Sequence, residues 1–171
     1  MENNYSAMQK LAMGYVDETN KYRVKGEWVH PEKFPDLTGH KVIAIDLETR
    51  DPNLKTLGSG AIIGEGNIIG FGVATENFKA YYPVAHERGP NLDSDKVRRY
   101  IQSILSSPTL KVFHNAMYDI SWLRSEGYKV QGPIADTMLA ASLLDENRRS
   151  FTLDSVGWTY LNEGKNDKLL V

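Results

Sequence analysis

Short apolar runs bounded by polar clusters recur along the chain. Val42-Ile43-Ala44-Ile45 leads into Asp46-Leu47-Glu48-Thr49, and Leu110-Lys111-Val112-Phe113 leads into His114-Asn115. Between them lie an apolar segment from Ile68 to Thr75 and another from Lys79 to Val84. Runs of this length with polar ends read as strands. Helical spacing alternates with them. From Asp93 or Ser94, the residues Val97, Tyr100, Ile101, Ile104 and Leu105 make one apolar stripe that stops before Pro108. Lys96, Arg98 and Arg99 read as its solvated face. A second helix is expected from about Ala116 to Glu126, closed by Gly127, with Trp122 and Leu123 against the sheet. A third is expected from about Ile134 to Leu144, and a last one from Thr152 to Leu161 with Leu153, Val156 and Leu161 inward. Strands interleaved with helices in this order predict an α/β fold.

Two stretches stand outside that rhythm. Residues 1 to about 38 are polar and dotted with aromatics, and Pro31, Pro35 and Leu37-Thr38-Gly39 separate them from the first strand. They read as an N-terminal extension, in which Met8, Leu11, Ala12 and Tyr15 have the spacing of an amphipathic helix from Tyr5 to Val16. The loop from Arg50 to about Asn67 holds Gly58, Gly60, Gly64 and Gly66. It fits neither the dinucleotide fingerprint nor the Walker pattern, so it reads as a flexible hairpin connection. Because it leaves the strand that carries Asp46 and Glu48, it could border a substrate groove.

The candidate chemistry lies at the ends of the two apolar runs. Side chains on a strand alternate faces, so Asp46 and Glu48 project to one side with Leu47 opposite. Asp119 falls four residues beyond Asn115, on the following turn of a helix. Several carboxylates in one small volume repel one another and are relieved by cations. Oxygen donors favour Mg²⁺ or Mn²⁺, whereas a chain with no Cys and no His pair at ligand spacing gives no zinc site. Asp136 is expected to support that site or to start a helix rather than to bind metal.

Around Asp46-Leu47-Glu48-Thr49, His114-Asn115-Ala116-Met117-Tyr118-Asp119 and Ile134-Ala135-Asp136-Thr137-Met138-Leu139, the chain resembles the DEDD-type 3′-5′ exonucleases. Within that group it is similar to the proofreading domain of family A DNA polymerases, the DNA polymerase I type, in Tyr81-Tyr82-Pro83-Val84-Ala85-His86 as well. The resemblance spans roughly residues 41 to 161. It implies a ribonuclease H-like three-layer exonuclease fold: a mixed sheet flanked by helices, the first three strands antiparallel and the fourth joining after a crossover helix. It also implies a domain from residue 39 to residue 171, removing nucleoside monophosphates from single-stranded DNA 3′ ends beside a polymerase domain in the same or a separate chain.

By the same resemblance, Asp46, Glu48 and Asp119 would be catalytic ligands of two Mg²⁺ or Mn²⁺ ions. Leu47, Thr49, His114, Asn115 and Tyr118 would hold the terminal nucleotides, and Arg149, beside Arg148, would meet a phosphate. One family element is missing. No Tyr is followed four positions later by Asp, so the fourth carboxylate and a water-orienting Tyr are not supplied, and the chain is expected to be the front part of a longer polypeptide. A ribonuclease D-like enzyme acting on RNA and a non-catalytic module that binds DNA or a partner protein are the alternatives.

Composition narrows these readings. The length of 171 residues suits one core, and 41% hydrophobic residues is ordinary for a soluble domain. A net charge of −2 gives no global grip on duplex DNA, but it is compatible with a few nucleotides of single strand held by metals and stacking. No apolar run is long enough for a membrane span and the N-terminus lacks a signal-peptide pattern, so a cytoplasmic location is expected.

Overall fold

In a computed structural model, the structure describes residues 31, 33–87 and 90–164. The helix expected at Tyr5–Val16 lies outside them. The described residues fall into two compact units, one within 30–137 and the other containing those from Met138 on.

The first unit is built on a five-stranded sheet in the order β3-β2-β1-β4-β5. Its strands are β1 (Val42–Arg50), β2 (Asn67–Ala74), β3 (Lys79–Pro83), β4 (Leu110–Phe113) and β5 (Ile134–Asp136). β1 pairs antiparallel with β2, β2 antiparallel with β3, and β4 parallel with both β1 and β5. The expected arrangement of the first four strands is therefore present. Ile43, Ile45 and Leu47 of β1, Phe71 and Val73 of β2 and Tyr82 of β3 are buried on one face. With them pack Val97, Ile101, Ile104 and Leu105 of α2 (Ser94–Leu105) and Trp122 and Leu123 of α3 (Ala116–Ser125). The α2 stripe is as its spacing predicts, and the Asp93 side chain caps the helix by accepting from the Lys96 N–H at 2.8 Å. The basic face of α2 is exposed, as expected, and two of its side chains also make contacts. Lys96 lies over the Phe34 ring, while Arg98 stacks on Tyr128 and donates to the Glu126 carbonyl.

Three expectations are refined or corrected. First, β1 carries Asp46 and Glu48 as expected and runs on to Arg50, where the loop was expected to begin, because β2 pairs with it that far, with a bulge between Glu48 and Thr49. Second, the glycine-bearing connection holds a short helix, α1 (Gly60–Ile63), and is tied down rather than loose. The Asp51 carboxylate accepts from the Gly60 N–H, and Trp122 of α3 packs against Gly60 and Gly66. Third, Ile134-Ala135-Asp136 is a strand. Pairing with Lys111, Val112 and Phe113 extends these three residues before helix α4 (Thr137–Leu144) begins. Local apolar spacing cannot distinguish so short a strand from a helix start.

In the second unit, α4 is followed by α5 (Leu153–Leu161), whose cap is the Thr152 side chain accepting from Ser155. None of its residues is fully buried, and Leu153 is 40% exposed, so the inward face expected for Leu153, Val156 and Leu161 is not formed among the described residues.

Candidate active site

The site begins with a mismatch of strand lengths. β4 accompanies β1 only as far as Ala44, opposite Val112, whereas β2 accompanies it to Arg50. Past Ala44 the backbone on the β4 side of β1 has no strand partner among the described residues, and there the Asp119 carboxylate accepts from the Leu47 N–H. The chain delivers Asp119 by a sharp turn after β4. Asn115 takes the left-handed conformation, φ 68°, which Asn tolerates better than most residues, and α3 starts at once. Asp136, at the end of β5, fixes that start: its carboxylate accepts from the N–H of Asn115 at 3.1 Å and of Ala116 at 2.8 Å.

Asp46 is exposed, Glu48 is half-buried, and both lie on the face opposite Leu47. Asp119 is only 4% exposed. Burial, and then the nearby charge of Asp46, push its carboxyl up to about 7, against the lowering effect of the Leu47 N–H. Asp46 and Asp119 are thus an electrostatically strained pair of hard oxygen donors, which a divalent cation would relieve. Among the described residues no three acidic or histidine side chains converge tightly enough to enclose one ion. Two carboxylates nonetheless fit Mg²⁺, which commonly takes one or two protein carboxylates and completes its shell with water and phosphate oxygens. Glu48 stands by Tyr81, whose hydroxyl is held protonated by burial first and by the charges of Glu48 and Asp46 next.

The other expected residues are placed as follows. Thr49 and Tyr118 meet each other, Oγ1 to Oη at 2.8 Å, and the Tyr118 hydroxyl also donates to Asp51 at 3.0 Å. Leu47 turns its side chain into the core, so it cannot contact a nucleotide through that side chain. His114 is half-buried and bonds Thr137 at 2.8 Å through Nδ1, and the Asn115 side chain is exposed at the head of α3. Arg149 is exposed in the other unit. Its neighbour Arg148 is a latch within that unit, donating to Ser150, Ser155 and Thr159. Sequence reasoning missed Asp51, and it did not give Tyr81 and His86 a place at the site. The available signal was Gly70 and Gly72, two same-face glycines on the strand beside the acids.

A model of the family described as 3′-5′ exonuclease, of the DNA polymerase A type, matches residues 32–169. The chain belongs to this family. A curated relative, a DNA-directed DNA polymerase of Pseudomonas phage M6, is 31% identical over 170 residues. The match covers 92% of the chain but only a quarter of the relative's length.

Solved structures share the fold of these exonucleases. The POL domain of Pol1 from M. smegmatis, in complex with DNA primer-template and dNTP, matches with TM-score 0.60 and 18% identity, over 85% of this chain and 24% of that one. Brucella melitensis NrnC with bound Mg²⁺ matches with TM-score 0.57 and 16% identity, over 78% and 59% of the two chains. Escherichia coli RNase D, an exoribonuclease involved in structured RNA processing, gives 0.55 and 16%, over 77% and 30%. The family and the mixed five-stranded sheet agree with the ribonuclease H-like exonuclease fold implied by the motifs. Among the described residues no helix is long and apolar enough to cross a membrane.

Proposed function

We propose that this exonuclease domain shortens DNA from its 3′ end, as the proofreading part of a family A DNA polymerase, with Mg²⁺ or Mn²⁺ held at Asp46, Glu48 and Asp119. The observation that carries the reading is the Asp46–Asp119 pair, buried on one side and exposed on the other at the place where β1 outruns β4. The phage polymerase relative supports DNA as the substrate and a polymerase as the companion domain. When bound, the divalent ions supply the charge that makes water nucleophilic and stabilises the oxygen leaving phosphorus.

The chain's own groups do the rest. Asp46 and Asp119 would hold the ions that face the scissile phosphate, and the Leu47 N–H holds Asp119 in place. The network of Thr49, Tyr118 and Asp51 keeps the strand end and α3 in register beside that phosphate. Asn115 and His114 flank the terminal nucleotides.

The test is degradation of 5′-labelled single-stranded DNA, and of the same sequence as RNA, in Mg²⁺ and in Mn²⁺. Stepwise 3′ shortening of DNA is expected, abolished by EDTA and by the Asp46→Ala/Glu48→Ala double substitution. Equal or preferred cutting of RNA would replace the proofreading role with an RNA-processing one. No cutting by the wild-type chain would leave a binding module or a site that needs a fourth carboxylate from elsewhere.

A further inference from the structure

Tyr81 reaches the acids by an unusual route. Antiparallel pairing sets Asp46, Gly72 and Tyr81 in one row across β1, β2 and β3, with Glu48 and Gly70 in the adjacent row on the same face. Side chains at β2 would normally separate a β3 residue from β1. Here the two glycines leave that ground bare. A Cβ at Gly70 would collide with the Tyr81 hydroxyl, so the hydroxyl occupies the space a residue-70 side chain would fill, directly across from Glu48.

The far side of the hydroxyl is fixed too. His86 Nε2 is 2.5 Å from Tyr81 Oη, with the two rings edge to face. The His86 backbone is clamped in turn by the Asn91 side chain, which accepts from its N–H at 2.8 Å and donates to its carbonyl at 2.9 Å. An imidazole N–H donating to the phenol oxygen leaves the phenol proton for a neighbouring carboxylate.

We propose that Tyr81, held by His86 over the bare glycines of β2, is a positioning residue that orients Glu48 as a metal ligand. The assignment rests on the exonuclease reading for its biological use, but it can be tested apart from that reading. Groups that hold a ligand in place typically account for about 10–100-fold in metal affinity or rate.

The experiment measures Mn²⁺ affinity of the full chain by calorimetry for the wild type, Tyr81→Phe, His86→Ala and His86→Gln. Metal-free melting temperatures and the kcat and KM for 5′-labelled DNA are measured alongside. Tyr81→Phe and His86→Ala are expected to weaken Mn²⁺ binding and lower kcat by about 10–100-fold at unchanged KM and melting temperature. His86→Gln, which keeps an amide donor near the Nε2 position, is expected to recover most of the loss. Wild-type Mn²⁺ affinity in Tyr81→Phe would overturn the proposal. So would losses that track a lowered melting temperature without recovery in His86→Gln. A wild-type chain that binds Mn²⁺ but cuts nothing would overturn the exonuclease reading alone, with the affinities still deciding the role of Tyr81. One that neither binds nor cuts would overturn both. If Tyr81→Phe does not fold, His86→Ala, which keeps the tyrosine, carries the comparison.

Discussion

Asp119 is a side chain whose ionisation is opposed both by burial and by the nearby charge of Asp46. Together they push its carboxyl from the ordinary 3.8 up to about 7, so below that pH the metal-free folded state prefers the protonated form. The sign follows from linkage: a raised acid contributes stability that is intact below its ordinary value and is lost as pH climbs toward 7. The metal-free melting temperature should therefore fall between pH 4 and pH 7, and Asp119→Asn should flatten that fall. A cation must displace the proton, so added Mg²⁺ should raise the melting temperature more at pH 8 than at pH 5. A thermal-shift series over pH, with and without Mg²⁺, checks both points. On the proposed reading the same substitution removes a metal ligand outright, and the exonuclease rate should drop by more than the about 10–100-fold that supporting residues command.

Among the elements, α3 matters most because three others hold it. Asp136 caps its N-terminus, Trp122 packs against Gly60 and Gly66 of the connection that contains α1, and the Glu126 carboxylate accepts from the Ile68 N–H at 2.7 Å. Asp136→Ala strips two bonds from the helix start and should cost about 0.5–2 kcal/mol by denaturant melting. It should also lower activity, since α3 carries Asp119, while Asp136→Asn, which keeps one acceptor oxygen but sets an NH2 against the other N–H, should recover at most part of either.

The strands β1 to β4, α2 and α3 were legible because each carries its own local spacing or cap. β5 was not: only pairing with β4, more than twenty residues earlier, makes Ile134–Asp136 extended. The acids Asp46 and Glu48 were legible as a pair through strand alternation. The Tyr81–Glu48 relation depends on cross-strand register, which no single segment encodes. Asp136 was recognised as a supporting residue, but the helix it supports is α3, reached through tertiary contact.

For the whole molecule, charge sets the limits. A chain with 20 basic and 22 acidic residues has little to offer a phosphate backbone beyond the metals proposed for it. Binding to single-stranded DNA in EDTA should therefore be weak, and its logarithmic salt slope should not exceed about −1.4, the value for roughly two neutralised phosphates. Fluorescence anisotropy at several salt concentrations measures this, and a slope several times steeper would reveal a basic track. Restoring Mg²⁺ should tighten binding in the wild type and have little effect in Asp46→Ala.

The shortfall of β4 beside β1 has a spectroscopic consequence. The Leu47 amide proton is bonded to the carboxylate that is proposed to exchange its proton for a cation, while the Leu47 side chain itself lies in the core. Its ¹⁵N–¹H resonance is a natural gauge, drifting through the titration of Asp119 as pH is varied and shifting as diamagnetic Mg²⁺ loads.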